Sequence, residues 1–526
     1  MKILIYNWTQ FDNTVGRGGG VSVYLRNIVP EFLKRDGVDV DFISSGEHYD
    51  LLRKRPYVSE TKNAFSSQGM RSFRLINSPI KAPAHDAFYA IDSWKENADL
   101  IELFKAFIED HGPYDVFHLH SLEGISANVL TLKSAFPEMK IFYTLHNYMP
   151  YCPQIELLYQ SKTVCSDYLN GTKCVGCLAQ KHDMKAAIRR HRLGSSLMRR
   201  GLSGHQIGNF IFGTAVGLGQ VARSFVGMAN DTRAGLAKKL SRRGTRPERT
   251  DRLAPIDPDY SGTTPKMHDL HEHDLLATQF REWREYNSNV LTNEVDQVFS
   301  VSGLVREAIA NTGEPVANIV PLHVGIDLER TPEEMMAAFD SKPKRNDVTI
   351  SFIGYAIPSK GLPFLMNAFD HIDQEYLKQH VRILIICRTH THLRRQIYFL
   401  SKRFKEVKVI DGYERGQLPA IAREIDLNIV PSIWPETFNQ VTRELMSLGT
   451  PSLTSNLVGA SELFSERETF TFRAGDINDF EEKLLRLVRD ANLRRTFFET
   501  LGNLPTVEGH VNHLMSAYST VKATSS

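Results

Sequence analysis

The segment Val430-Pro-Ser-Ile-Trp-Pro-Glu-Thr-Phe-Asn-Gln-Val-Thr-Arg-Glu-Leu-Met-Ser-Leu-Gly-Thr-Pro451 reads as strand, loop and helix in succession. A β-branched run ends in Pro431-Ser432, and a tight loop leads into a helix predicted to reach Leu448. Gly449 and Pro451 supply a glycine stop with proline beyond it. Glu436 stands in the loop, and Glu444 follows eight residues later. Were all eight helical, the two would differ by about 80° around the axis. With Glu436 in the loop, both carboxylates can face one ligand across the helix N-terminus. Free amides there suit hydroxyl or phosphate oxygens, the helix dipole favours anions, and carboxylates accept hydrogen bonds from hydroxyls. The spacing alone carries no signal, since two solvated glutamates on a helix face would show it too. The strand-loop-helix setting supplies the signal.

Outward from this segment, short β-branched runs alternate with helical stretches, which argues for parallel α/β sheets. Strands are predicted at 348–354, 381–387, 407–411, 427–431, 452–455 and 469–472 in the second half. In the first half they fall at 2–8, 38–44, 72–77, 116–120 and 140–145, with 297–302 and 318–323 closing that sheet. Helices are expected near 21–34, 92–108, 125–135 and 304–311. The reading is α/β: two Rossmann-like, doubly wound parallel-sheet domains facing a cleft at the carboxyl ends of their strands. The divisions expected are 1–325, 326–505, and a C-terminal helix in 506–526 packing back on the first domain. Residues from about 178 to 285 break the rhythm and read as a basic insertion in the N-terminal domain.

Length and composition agree with two domains. The chain has 526 residues, 42% hydrophobic and 24% charged, with a formal net charge of +2. These values suit a soluble globular protein and exclude a polyelectrolyte. The first residues have too short an apolar run for a secretory signal, and no stretch of about 18 apolar residues exists to span a bilayer. A cytoplasmic location is the expectation. From Lys181 to Arg252, sixteen Lys and Arg face four Asp and Glu. Two basic clusters flank an apolar, glycine-rich stretch there, the pattern of a segment lying on an anionic membrane surface; a solvated arm is the bland alternative. No aromatic residues interleave the arginines, so no nucleic acid is expected.

Five cysteines are too few for a disulfide scaffold. Four of them, Cys152, Cys165, Cys174 and Cys177, fall within 26 residues with a Cys-x2-Cys pair. Four thiolates suit tetrahedral zinc, so a structural zinc site is expected, with reduced thiols or disulfides as alternatives.

Further motifs sit at the ends of other strands. Gly16-Arg-Gly-Gly-Gly20 leads from the first strand into a helix, where residues without Cβ let a phosphate approach. Asp115-Val-Phe-His-Leu-His-Ser121 ends at the cleft, with His118 and His120 on one face, so that at most one reaches the mouth. Thr144-Leu-His-Asn-Tyr148, Phe352-Ile-Gly-Tyr-Ala-Ile-Pro-Ser-Lys-Gly361 and Asp411-Gly-Tyr413 complete the set.

Together these segments resemble the family-four retaining glycosyltransferases of the GT-B fold, over roughly residues 1–150 and 295–475. The resemblance implies that Glu436 contacts the transferred sugar, that Glu444 binds the ribose, and that Thr437, Phe438 and Asn439 hold sugar hydroxyls. It implies that Gly19, Gly20 and Gly354 border the donor, that Tyr413 borders the base, and that His120 sits by the reacting centre. Lys360 would neutralise the departing diphosphate, so the catalytic set is His120, Glu436 and Lys360. The family usually has arginine where this chain has Tyr355; Arg17 and Arg415 are candidate replacements. Similar enzymes need no donor-bound metal, so no catalytic cofactor is expected. The implied activity is retaining transfer from a nucleotide-diphosphate sugar to a saccharide or lipid-linked saccharide, as in polysaccharide biosynthesis. A nucleotide-sugar epimerase, a sugar phosphorylase or a degenerate sugar-nucleotide-binding scaffold fits the same two domains.

Overall fold

A computed structural model describes residues 1–12, 18–50, 52–83, 91–178, 192, 270–313, 318–372, 374–387, 397–398 and 400–520. The strands are apolar on both faces because helices cover both sides of each sheet. Ile3, Leu4, Ile5 and Tyr6 of the first strand are all buried.

The N-terminal sheet contains β1 (Lys2–Tyr6), β2 (Asp39–Ser44), β3 (Tyr57–Thr61), β4 (Arg71–Ile76), β5 (Val116–Leu119) and β6 (Lys140–Leu145). A small two-stranded ribbon, β7 (Leu158–Tyr159) and β8 (Thr163–Val164), precedes its last members, β9 (Gln297–Ser300) and β10 (Ile319–Pro321). Their order is β10-β9-β6-β5-β1-β2-β4-β3. All neighbours are parallel except the edge pair β3 and β4. The sequence reading missed β3, whose residues are half-exposed and lack the apolar run of a buried strand.

The C-terminal sheet is wholly parallel and contains β11 (Val348–Ile353), β12 (Val381–Ile386), β13 (Glu406–Ile410), β14 (Leu427–Val430), β15 (Ser452–Ser455) and β16 (Thr471–Phe472). Its order is β13-β12-β11-β14-β15-β16. In each sheet the first strand in sequence lies between strands reached by crossovers in opposite directions. Such a switch point opens a crevice at the carboxyl ends of β1 and β11.

The helix Val507–Thr520 returns to the N-terminal domain and lies along the helix Gly19–Leu33. Val507, Val511, Leu514 and Tyr518 form its buried stripe, at the 3–4-residue spacing of one helical face. Tyr518 Oη meets His118 Nδ1 at 2.5 Å, and Lys140 Nζ donates to the Tyr518 carbonyl at 2.7 Å.

Most of the basic stretch lies outside the described residues. Residues 270–285, read from sequence as part of the insertion, belong instead to a packed helix, Leu270–Asn293. Ala277, Phe280, Trp283, Val290 and Leu291 are its buried apolar positions, and Trp283 meets Trp94 edge to face at 6.1 Å. This face is apolar enough to anchor the helix; its charged opposite face hid it in the sequence. Among the described residues no helix is long and apolar enough to cross a membrane.

Candidate active site

The loops after β11 and β14 lie on one another. Gly361 has a φ of 78°, and a Cβ there would sit 1.7 Å from the Pro431 carbonyl oxygen, so only glycine fits. The Ile433 amide donates to the Ser359 carbonyl at 2.9 Å. This contact places Lys360 at Glu436. The Lys360 ammonium pairs with Glu436 Oε1, and Asn439 Nδ2 donates to the same oxygen at 2.9 Å. Ser432 Oγ donates to Oε2. The carboxylate is therefore buried but satisfied by three donors, and Lys360 also lies 5.2 Å from the Trp434 ring centre.

Asn439 caps the helix Gln440–Ser447. Its φ of 75° is left-handed, and its Oδ1 accepts from the Thr442 amide at 3.0 Å. Asparagine tolerates this conformation and supplies the cap in one residue. Glu444, on this helix, is also buried, and Arg415 donates to its Oε1 at 3.1 Å. Burial pushes the Glu444 carboxyl up, partly offset by Arg415. Arg415 is shared with Asp327. Tyr413 stands against this group, its phenol pushed up to about 12 by burial and by the Glu444 charge.

Across the cleft, Gly18 takes a φ of 86° just before the helix Gly19–Leu33. A Cβ on Gly19 would lie 3.9 Å from Tyr355 Oη, and one on Gly20 3.7 Å from the Gln440 side chain. The glycine turn thus faces Tyr355, at the position where the related pattern has arginine. Gly354 follows β11 directly, its amide donating to the Ile386 carbonyl at 3.1 Å. Arg17 lies outside the described residues.

The domains touch around Glu436. Tyr148 Oη donates to the Pro435 carbonyl at 2.8 Å, Thr437 Oγ1 to the His146 carbonyl at 3.0 Å, and Ser302 Oγ to the Thr437 carbonyl at 2.6 Å. Phe438 is buried beside His323. Glu462 accepts from the amides of Gly303 and Leu304 at 2.8 and 2.6 Å and meets His323 at 2.7 Å. Burial pushes this carboxyl up, but those hydrogen bonds outweigh it and leave it below its ordinary value.

His120 is buried rather than open to the cleft, with 1% of its surface exposed. Its ring stacks on His118, with centroids 4.2 Å apart, and Nδ1 meets His146 Nε2 at 3.0 Å. Nε2 is buried without a partner. Burial, then the neighbouring His118, His146 and His510, hold it well below its ordinary value, so it is neutral. His118 is a satisfied core residue, bonded to Tyr518 and to Thr144 Oγ1 at 2.8 Å.

The four clustered cysteines are neighbours beside the β7–β8 ribbon. Burial raises each thiol, and for Cys152, Cys174 and Cys177 nearby thiols add to it. Cys177 Sγ donates to Gln154 Oε1 at 3.1 Å and accepts from the Gln160 amide at 3.2 Å. Among the described residues no group of three or more His, Cys, Asp or Glu is gathered so as to hold a metal ion.

Sequence reasoning passed over Glu156 and Glu462, and it quoted His146 within a strand-end motif without giving it a role. Glu156 sits between two cysteines in no motif, and only the fold brings it to Lys360. Glu462 follows a strand at a spacing that carries no pattern.

Residues 347–490 match the family described as glycosyl transferases group 1. No curated protein is similar enough in sequence to count as a relative. Among solved structures, the α,α-trehalose-6-phosphate synthase of Burkholderia multivorans has a TM-score of 0.56 at 11% identity, over 100% of this chain and 99% of that one. Sucrose-phosphate synthase of Thermosynechococcus elongatus gives 0.52 at 15%, over 98% and 96%. Anabaena HepE, solved with UDP and glucose, gives 0.50 at 13%, over 99% and 100%. At such identities the likeness is one of fold, and the fold is GT-B.

Proposed function

We propose that this chain, whose C-terminal domain matches glycosyl transferases group 1, moves a sugar from a nucleoside-diphosphate sugar to a hydroxyl of a saccharide or lipid-linked saccharide, with retention. The observation that carries the reading is the convergence of Lys360, Ser432 and Asn439 on the Glu436 carboxylate at the switch point of the C-terminal sheet. A bound sugar would offer hydroxyl donors to Glu436, while the ammonium turns to the diphosphate. The bond from the anomeric carbon to the phosphate oxygen breaks, with its electron pair going to that oxygen. The acceptor oxygen bonds on the same face, and its proton passes to the leaving diphosphate. A preorganised cation opposite the developing charge contributes most where water is excluded. Glu444 and Tyr413 are placed to take the ribose and base. The solved HepE complex with UDP and glucose supports this class of donor.

The experiment is a panel of nucleotide sugars read by thermal shift and by release of nucleoside diphosphate. A cognate donor at 100 times its Kd stabilises by about 2.7 kcal/mol. Stabilisation with turnover in the presence of an acceptor is expected. Stabilisation with no turnover would make the chain a binding scaffold, a reading that Tyr355 in place of arginine favours.

Two assignments stand apart from the transfer. Zinc at Cys152, Cys165, Cys174 and Cys177 requires the thiols to lose protons against their burial; elemental analysis of tag-free protein tests it. Attachment of the basic stretch to an anionic membrane on the cytoplasmic side is tested by liposome flotation.

A further inference from the structure

The loop between Tyr148 and Cys165 brings a second carboxylate to the reacting centre, from the opposite domain. It is pinned by the Tyr148 amide on the Ile155 carbonyl at 3.0 Å, the Ile155 amide on the Cys152 carbonyl at 2.8 Å, and the Cys165 amide on the Leu157 carbonyl at 2.7 Å. Ile155 and Leu157, on either side of Glu156, both take left-handed backbone, with φ of 66° and 51°. Neither has the freedom of glycine, and β-branched isoleucine is rare there, so the surroundings must impose the turn. Its result is to aim Glu156 out of the N-terminal domain. Glu156 Oε1 accepts from Ser359 Oγ at 3.1 Å, next to Lys360.

Lys360 is ion-paired with Glu436, and the Glu156 carboxylate, bonded to the neighbouring Ser359, lies within the field of the same ammonium. Burial pushes the Glu156 carboxyl above its ordinary value, Ser359 and Lys360 offset this in part, and the Glu436 charge adds to the rise. When Lys360 turns to a diphosphate, Glu156, in its half-buried place, loses part of the positive field that offsets its burial. A hydroxyl donor arriving from the N-terminal side would satisfy it; the donor contacts proposed above all belong to the C-terminal domain, which leaves that side to the acceptor.

We propose that Glu156 is a specificity-determining residue of the site, accepting a hydrogen bond from the saccharide that receives the sugar. This rests on the glycosyl-transfer reading above. It adds no step to the transfer; the carboxylate orients the acceptor.

The test compares wild type with Glu156→Gln, which keeps an oxygen for Ser359 and removes the charge. UDP-glucose is the donor probe, or the nucleotide sugar that stabilises the wild type. Glucose, maltose and glucose 6-phosphate are the acceptor probes, and hydrolysis of the donor by water, which the variant should leave unchanged, is the control. Loss of a hydrogen bond to a charged group predicts a fall of about tenfold to hundredfold in kcat/KM for the acceptor. Donor KM should stay within about twofold, on the scale of an exposed charge contact. A residue that merely latched the loop to Ser359 would disturb Lys360 and raise donor KM as well. Acceptor kcat/KM unchanged, or donor and acceptor terms falling together, overturns the proposal. Failure of the wild type to bind or turn over any nucleotide sugar overturns the transfer reading itself, and this inference with it.

Discussion

The two sheets have the same switch-point geometry, yet the clusters at their strand ends differ in charge. At β11 and β14, Lys360, Glu436, Glu444 and Arg415 are ionisable groups in hydrogen-bonded pairs. At β5 and β6, His118, His120 and His146 are packed neutral, with Tyr24 and His510 of the C-terminal helix against them. Burial brings His146 to about 3 and His510 to about 4. One strand-end cluster keeps paired charges that a ligand can exchange; the other is sealed, and it docks the last helix.

The largest expected effect falls on the charged cluster. Lys360→Met should lower transfer by ~100-fold to 1,000-fold, the scale of losing one preorganised stabiliser of developing charge. Steady-state release of nucleoside diphosphate checks it. A loss under about threefold would mean that the charge of this cluster serves structure alone.

A smaller effect is expected on the neutral cluster, and it appears in stability. The folded histidines have values below their ordinary 6.5, so the unfolded chain binds more protons at lower pH. Stability is then full above about pH 6.5 and falls as the pH drops from there towards 4, with a limiting slope of about 1.4 kcal/mol per unit for one such histidine. Thermal melts between pH 7 and 4.5 check the slope, which Tyr518→Phe should leave in place while lowering the starting Tm. A flat profile would remove the contrast between the clusters.

The smallest effect concerns Tyr355, which is half-exposed beside the glycine turn. Tyr355→Arg should tighten UDP binding by about twofold to fivefold, as one added surface charge allows. Calorimetry decides whether the tyrosine stands where a phosphate contact is missing.

The sheets and the donor-side loop were legible because they depend on local signals. Val430–Pro451 carries its strand, its turn and its helix stop in one run, and Glu436 and Lys360 follow strands whose carboxyl ends a parallel sheet lines up along one edge. The edge strand β3 was not legible, since a half-exposed strand lacks the continuous apolar run. The helix Leu270–Asn293 was obscured by its charged outer face and its junction with the basic stretch. Glu156 was invisible for a different reason: its partner Ser359 lies 203 residues away, and a contact at that separation leaves no periodicity. His120 was read by its place at a strand end, but its burial depends on the helix Val507–Thr520, almost 400 residues further on.

The measurement that bears most directly on the account is transfer by Glu436→Gln, with the cognate donor and acceptor and with circular dichroism confirming the fold. Removing the charge from hydrogen bonds to a sugar predicts at least a tenfold to hundredfold fall in kcat/KM, roughly 1.5–3 kcal/mol. Turnover equal to wild type in a folded variant would contradict the claim that this carboxylate holds the sugar being transferred.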